Sequence, residues 1–151
     1  MGQALQAVFY AGLLAGTLDI AAAFVVYGLR GATPLRILQS IASGLLGATA
    51  YKGGLRTAAL GALLHFFIAC GADAVFYAAS RKLEVLVRRP VISGLLYGVV
   101  VYVVMNHVVV PLSAIGRRPF VPSLAAVIVL VHMLCVGLPI ALVVHRYATR
   151  P

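Results

Sequence analysis

Apolar residues fill four long stretches of the chain, and most of the charged residues lie between them. The stretches cover about 5–29, 54–79, 91–115 and 121–145. A helix needs roughly 20 apolar residues to cross a hydrocarbon core about 30 Å thick. Each stretch meets that length, so the pattern predicts four transmembrane helices joined by short connectors.

A shorter, more polar segment separates the first two stretches. Thr33 followed by Pro34 is typical of a helix N-cap and a first-turn proline, which predicts a helix over about 34–48. Its apolar positions share one face and most of its polar positions fall elsewhere: Leu35, Leu38, Ile41 and Leu45 against Arg36, Gln39, Ser40 and Ser43. The pattern predicts an amphipathic helix in the membrane interface, or a short re-entrant helix packed into the bundle.

Composition agrees with a membrane location. Of the 151 residues, 63% are hydrophobic and 10% are charged, and the mean hydropathy is +1.07. Soluble domains carry about 25% charged residues. Because little chain remains outside the apolar stretches, residues 1–151 are interpreted as a single integral membrane domain. The predicted fold class is therefore all-α, a polytopic membrane protein built as a bundle of four transmembrane helices.

The net charge of +9 comes from twelve Lys and Arg residues that lie in the connectors and near the chain ends. Cations at helix ends contact lipid headgroups and attract anionic lipid. No basic groove interleaved with aromatic residues is present, so nucleic acid is not an expected partner. The cations divide evenly between the two sides of a four-span topology. The compact run RKLEVLVRR, residues 81–89, favours cytoplasmic termini on the positive-inside rule.

Motifs of soluble enzymes are missing from the sequence. It contains no CxxC, HExxH, P-loop or GxSxG pattern, and Cys70 and Cys135 both fall inside apolar stretches. The sequence therefore predicts a protein that is not an enzyme and that has no resident cofactor. Candidate chemistry is confined to polar residues inside the membrane.

Small residues mark the helix faces on which those polar residues lie. Three rows follow the helical repeat or the GxxxG spacing: Gly12, Gly16 and Asp19; Gly61, His65 and Asp73; and Gly94, Gly98 and Asn106. The last span carries His132 in a stretch rich in Val, Ile and Leu. Small residues allow helix backbones to approach closely. The glycines are predicted to be helix contacts, and the polar groups beside them are predicted to face protein.

Depth brings four of these side chains to one level. Measured from the span midpoints, Asp19, His65, Asn106 and His132 lie within roughly 5 Å of one another along the membrane normal. Asp73 lies about 10 Å beyond the midplane on the other side and is a possible second station. A carboxylate at this depth costs about 2.5–3.5 kcal/mol on insertion scales. We therefore expect Asp19 to contact His65 or His132, directly or through water.

Several roles remain open for this polar layer. It could hold the bundle in register, pass a proton or a small solute, or bind a metal ion or haem through His65 and His132. The protein could also be a non-catalytic assembly or accessory subunit, as a homo-oligomer or with a membrane-complex partner. His107 projects away from the Gly98 face, and His145 is interpreted as an interfacial anchor.

The phrases ASGLLG (42–47), LHFFIA (64–69) and MN..VVPLS (105–113) resemble a family of small bacterial inner-membrane proteins, similar to the YagU-like membrane proteins. The resemblance covers about residues 12–145. It implies four membrane helices and the bacterial cytoplasmic membrane, and it implies no particular activity. Asp19, His65, Asn106 and His132 lie within matching phrases, whereas an apolar or aromatic residue is expected at the position of His107.

Overall fold

The computed structural model describes residues 3–116 and 119–148, and this part of the chain is helical with no strand. The helices are α1 (Gln3–Gly28), α2 (Pro34–Leu46), α3 (Gly54–Ser80), α4 (Glu84–Arg88), α5 (Pro90–Leu112) and α6 (Pro122–Ala148), and a 3₁₀ segment (Gly47–Lys52) joins α2 to α3. Helices α1, α3, α5 and α6 are long and apolar enough to cross a membrane, which confirms the predicted fold class. Three connector and terminal cations, Arg117, Arg118 and Arg150, lie outside the described residues.

Proline sets the start of three helices. Pro34, Pro90 and Pro122 each occupy the first turn of their helix, where the missing N–H has no intrahelical partner to lose. In α2 the Thr33 hydroxyl also accepts a hydrogen bond from the Arg36 backbone N–H at 3.3 Å, as the sequence predicts. The helix boundaries therefore follow from local chemistry.

The outer surface of the bundle is apolar. Leu63 and Phe67 on α3 expose 70% and 77% of their surface, and α1, α5 and α6 carry similar leucine and valine side chains. A lipid environment requires helices that pair their own backbone groups and expose apolar side chains. The four long helices have both features. The chain is an integral, multi-pass membrane protein.

Small residues bring α1 against α3. A Cβ atom at Gly12 would lie 2.7 Å from Cys70 Sγ, and one at Gly16 would lie 2.8 Å from the Phe66 ring and 3.2 Å from Ala69 Cβ. The next stripe of α1, which includes Ala15, packs on α6. Helix α1 therefore lies between α3 and α6 and contacts both through side chains no larger than a methyl group.

The α5–α6 contact is closer still. A Cβ at Gly94 would lie 2.8 Å from the Gly137 carbonyl oxygen, and one at Gly98 would collide with the backbone of His132 and Met133. Gly137, in turn, faces the backbone of Gly94 and Gly98. The sequence predicts Gly94 and Gly98 as contact positions and misses Gly137, although Ala141 four residues later gives α6 a matching pair of small residues at helical spacing.

The half of the bundle that carries the chain ends is filled by side chains. Phe76 and Ile140 are buried there with Ala15, Val136 and neighbouring α6 residues. Tyr97 of α5 lies beside the Phe76 ring and donates its hydroxyl hydrogen to the Ala72 carbonyl at 2.6 Å. These contacts hold α3 and α5 together at this end.

Helix α2 packs on α3 with a different face from the one that its apolar pattern suggests. Its buried residues are Ile37, Gln39, Ala42 and Ser43, whereas Leu35 and Leu45 are exposed. Gln39 donates to the Gly54 carbonyl at 3.1 Å, and Gly61 admits the Leu38 backbone so closely that any Cβ would collide. Gln39 and Ser43, which the sequence pattern sets apart from the leucine face, thus lie in the contact with α3, because small size and backbone hydrogen bonding decide it. The leucines face outward, as suits a helix surrounded by lipid.

Candidate functional site: an intramembrane cavity

A cavity of about 730 Å³ occupies the half of the bundle that carries α2 and the α5–α6 connector. It lies between α1, α3, α5 and α6, and α2 closes one side. The four residues that the sequence places at one depth all line it: Asp19, His65, Asn106 and His132. The cavity therefore receives one polar side chain from each of the four long helices.

The remaining walls are mainly aliphatic, with a few polar groups towards the connectors. The aliphatic part includes Ile20, Ile37, Leu64, Ile68, Val109 and Ile128. Towards the connectors lie Arg36 and Tyr51, with the guanidinium carbon 4.5 Å from the ring centroid. The sequence pattern did not indicate that Arg36 and Tyr51 belong to the site. The presence of Arg36 in an amphipathic helix was a signal for it, but the stacking on Tyr51 depends on the 3₁₀ segment after α2.

Asp19 presents its carboxylate to the cavity. Within residues 3–116 and 119–148 it makes no hydrogen bond and no ion pair, and the one salt bridge of this part joins the exposed Arg88 and Glu84. The expected direct contact between Asp19 and an imidazole is therefore absent. Each histidine donates one ring N–H to a backbone carbonyl, and the other nitrogen of a neutral imidazole is an acceptor that cannot donate to a carboxylate.

The two histidines are held by carbonyl groups of different helices. His65 donates through Nε2 to the Gly16 carbonyl of α1 at 2.8 Å. His132 donates through Nδ1 to the Ile128 carbonyl, one turn earlier in α6, at 2.9 Å. A carbonyl oxygen only accepts, so the bonded nitrogen carries hydrogen in both rings. In the neutral imidazole this leaves Nδ1 of His65 and Nε2 of His132 as acceptors.

Asn106 is arranged in a similar way. Its Nδ2 donates to the Tyr102 carbonyl at 3.0 Å, which leaves its side-chain oxygen without a protein partner in the described region. Four helices thus contribute a carboxylate, two imidazoles and an amide to one space. The bonds that orient three of these groups all run to backbone carbonyls, so their geometry does not depend on one another.

Widened helical turns present two of the four side chains. Asn106 lies in the π-helical segment Met105–Val109 of α5, and His132 begins the π-helical segment His132–Gly137 of α6. Pro111 and Pro139 follow these segments. A proline offers no N–H to the carbonyl four residues earlier and its ring crowds that carbonyl, which favours a wider turn. Single π turns are frequent at functional sites. The prolines inside predicted spans are the sequence signal for this feature.

Asp73 lies apart from the cavity. Its side chain is completely buried on α3, near the backbone of Gly12 and the side chains of Cys70 and Tyr97. Neither oxygen has a hydrogen-bond partner of normal geometry among the described residues. The structure therefore places the possible second station in the side-chain-filled half of the bundle.

The other histidines and the cysteines lie outside the site. His107 is exposed and absent from the cavity wall, and its ring lies 6.4 Å from that of Tyr102. His145 bonds the Val87 carbonyl at 2.7 Å and so fastens α4 to α6. Cys70 and Cys135 are not joined in a disulfide.

Metal binding finds no support in this geometry. Over residues 3–116 and 119–148, no group of three or more His, Cys, Asp or Glu side chains is close enough to hold a metal ion. His65 and His132 line the same cavity, but each is turned to a backbone carbonyl of its own. Three or four such ligands are what protein zinc sites require.

The fold and the site define a multi-pass membrane protein with a polar-lined cavity inside its helix bundle. No family model, curated protein or solved structure matches the chain. The resemblance to YagU-like membrane proteins stays a prediction. The function is therefore inferred from the geometry of this chain alone.

Proposed function

We propose that the protein passes protons or a small solute across the bacterial cytoplasmic membrane, with the cavity as its binding site. The observation that carries the proposal is the convergence of Asp19, His65, Asn106 and His132 from four helices on one cavity. Ionisable groups inside a membrane are costly, and they usually face a cavity that serves an ion or substrate path. A purely structural layer would join these groups to one another, whereas here they are bonded separately.

Half of the path is open in this conformation and half is closed. The cavity extends from the polar layer towards α2, while the other half is filled around Phe76 and Ile140. Passage would require that the α3–α5 contact at Tyr97 loosens. Asp73, buried in this closed half with no hydrogen-bond partner of normal geometry in the described part of the chain, is the group that a proton would meet next.

The proposal also includes the orientation of the protein in the membrane, its lipid contacts and its partners. We place the termini in the cytoplasm, so that the cavity half faces the periplasm, and we assign the connector cations to anionic lipid headgroups. The role is non-enzymatic and uses no resident cofactor. Assembly as a homo-oligomer or with a membrane-complex partner is compatible with this function, but no contact in the described residues favours an accessory role.

Proton flux into proteoliposomes tests the proposal. Purified protein is reconstituted with an entrapped pH-sensitive dye, and a potassium diffusion potential drives the flux. We expect Asp19→Asn to abolish flux above the level of empty vesicles, whereas Glu84→Gln leaves it unchanged. Glu84 is the matched control, since it is an acidic residue in an exposed salt bridge outside the cavity. Small-solute uptake is measured in the same vesicles. Wild-type protein that supports neither process, in both orientations of the driving force, would refute the proposal.

A further inference from the structure

The size and walls of the cavity describe the molecule that it would hold. A volume of about 730 Å³ is within the range of sites that bind organic ligands, and is far larger than a single ion needs. Most of the lining is aliphatic, with contributions from every helix that forms the cavity. The space therefore suits a ligand with an apolar body.

The polar layer specifies the other end of that ligand through its unused atoms. Among the described residues, the two oxygens of the Asp19 carboxylate have no hydrogen-bond partner, and Asn106 has a free side-chain oxygen besides one remaining N–H. In their neutral forms, His65 and His132 add one acceptor nitrogen each, because their N–H groups are given to carbonyls. The layer therefore presents mainly acceptors together with a negative charge.

The serines and the arginine of the wall do not compete for this role. Ser40 and Ser113 each donate to a carbonyl of their own helix at 2.7 Å. Arg36, the one Lys or Arg among the described wall residues, is stacked on Tyr51 in the α2 and 3₁₀ region rather than in the polar layer. A carboxyl group in apolar surroundings is stable only when it is protonated or is given a counter-charge. None is supplied to Asp19 by the described residues.

We propose that the ligand of this cavity is an organic cation with N–H donors on an apolar body, such as the protonated form of a hydrophobic primary amine. Its ammonium group lies at Asp19 and donates to the acceptors of the polar layer, and its apolar part fills the aliphatic walls. This inference rests on the proposed function, since it names the solute class that the same site would pass.

Binding of a matched ligand series to the purified full-length protein tests the inference. The probes are phenethylamine, phenethyl alcohol, trimethyl(phenethyl)ammonium and phenylacetate, which share one apolar body and differ in charge and N–H donors. Equilibrium dialysis against detergent-solubilised protein, with protein-free micelles as the blank, gives the affinities. We expect the amine to bind at least about tenfold more tightly than the alcohol, as a charge-assisted hydrogen bond provides. The quaternary ammonium, which lacks N–H donors, should fall between them.

Variants locate the site. Asp19→Asn should bring the affinity for phenethylamine to that for the alcohol, and Glu84→Gln should not change it. Equal binding of amine and alcohol to wild-type protein would overturn the inference, as would tighter binding of phenylacetate, which would assign recognition to Arg36. The wild-type series decides the matter even if Asp19→Asn does not fold. Asp19-dependent proton flux without amine binding removes this inference alone, whereas amine binding without any flux removes the proposed passage alone.

Discussion

His65 of α3 donates its Nε2 hydrogen to the backbone carbonyl of Gly16 on α1, across a distance of 2.8 Å. The bond lies at the level of the polar layer and directly beside the contact between Gly16 and the Phe66 ring. The same glycine thus permits the close approach of the helices and accepts the bond that orients a cavity residue. Helix packing and site geometry are coupled at this point.

Enlarging Gly16 should therefore damage the bundle. In Gly16→Leu the side chain would have to displace Phe66 and Ala69, and overpacking of this kind costs about 1–3 kcal/mol. Leu14→Ala is the control, because Leu14 is 44% exposed on the outer surface, where substitutions usually change stability by about 0.5 kcal/mol or less. Thermal unfolding in detergent measures both. Similar unfolding temperatures for the two variants would contradict the assigned face of α1.

Removing the Asp19 carboxylate should leave the fold intact. Because neither imidazole depends on it, both Asp19→Asn and Asp19→Leu should keep or raise the unfolding temperature in detergent. The sequence alone suggests instead that Asp19→Leu would strand an imidazole and weaken folding. A fall in the free energy of unfolding by about 2 kcal/mol or more, the middle of the range of about 1–3 kcal/mol for leaving a buried polar group unpaired, would show that Asp19 has a structural partner after all.

The architecture and the depth of the site were predictable because both follow from simple periodicities. Span length and helical rise place Asp19 and His132 at one level, and small-residue rows identify the faces of α1, α3 and α5. Other features depend on three-dimensional context. The face of α2 that packs on α3 was not predictable, because burial there favours Ala42 and Ser43 over leucine. The bonds of His65 and His132 to carbonyls were missed because every helix residue offers a carbonyl.

The π turn before Pro139 should be needed for the site and not for folding. Pro139→Ala restores an N–H that can bond the Cys135 carbonyl and close an ordinary α turn. We expect equal or higher thermal stability in detergent, because alanine is about 3 kcal/mol more favourable than proline within a helix. Proton flux or solute uptake should fall, since His132 at the start of the π segment would be rotated from its present position. Pro122→Ala, at the first turn of α6, is the control that should leave function unchanged. Full activity of Pro139→Ala would show that the π turn is not needed for function.

The four-span topology can be tested in cells. Reporter fusions after Ala32, Lys82 and Gly116 and at the C-terminus should alternate in compartment, because each lies beyond one further transmembrane helix. Positions 32 and 116 should report the periplasm and the other two the cytoplasm, as the charge of the 81–89 connector favours. The same compartment for Ala32 and Lys82 would exclude α3 as a membrane span. The reverse alternation would keep the fold and invert the proposed orientation of the cavity.

Asp73 provides a direct test of whether the closed half of the bundle belongs to a path. Asp73 is completely buried, and neither of its oxygens has a hydrogen-bond partner of normal geometry among the described residues, so its hydrogen bonding does not account for its presence. We expect Asp73→Asn to retain or raise thermal stability in detergent and to reduce proton flux at least about tenfold, which corresponds to about 1.4 kcal/mol in the rate-limiting barrier. Phenethylamine binding in the cavity should stay at the wild-type level, because Asp73 does not line it. Wild-type flux in this variant would exclude Asp73 from the path, and a marked loss of stability would assign it a structural role.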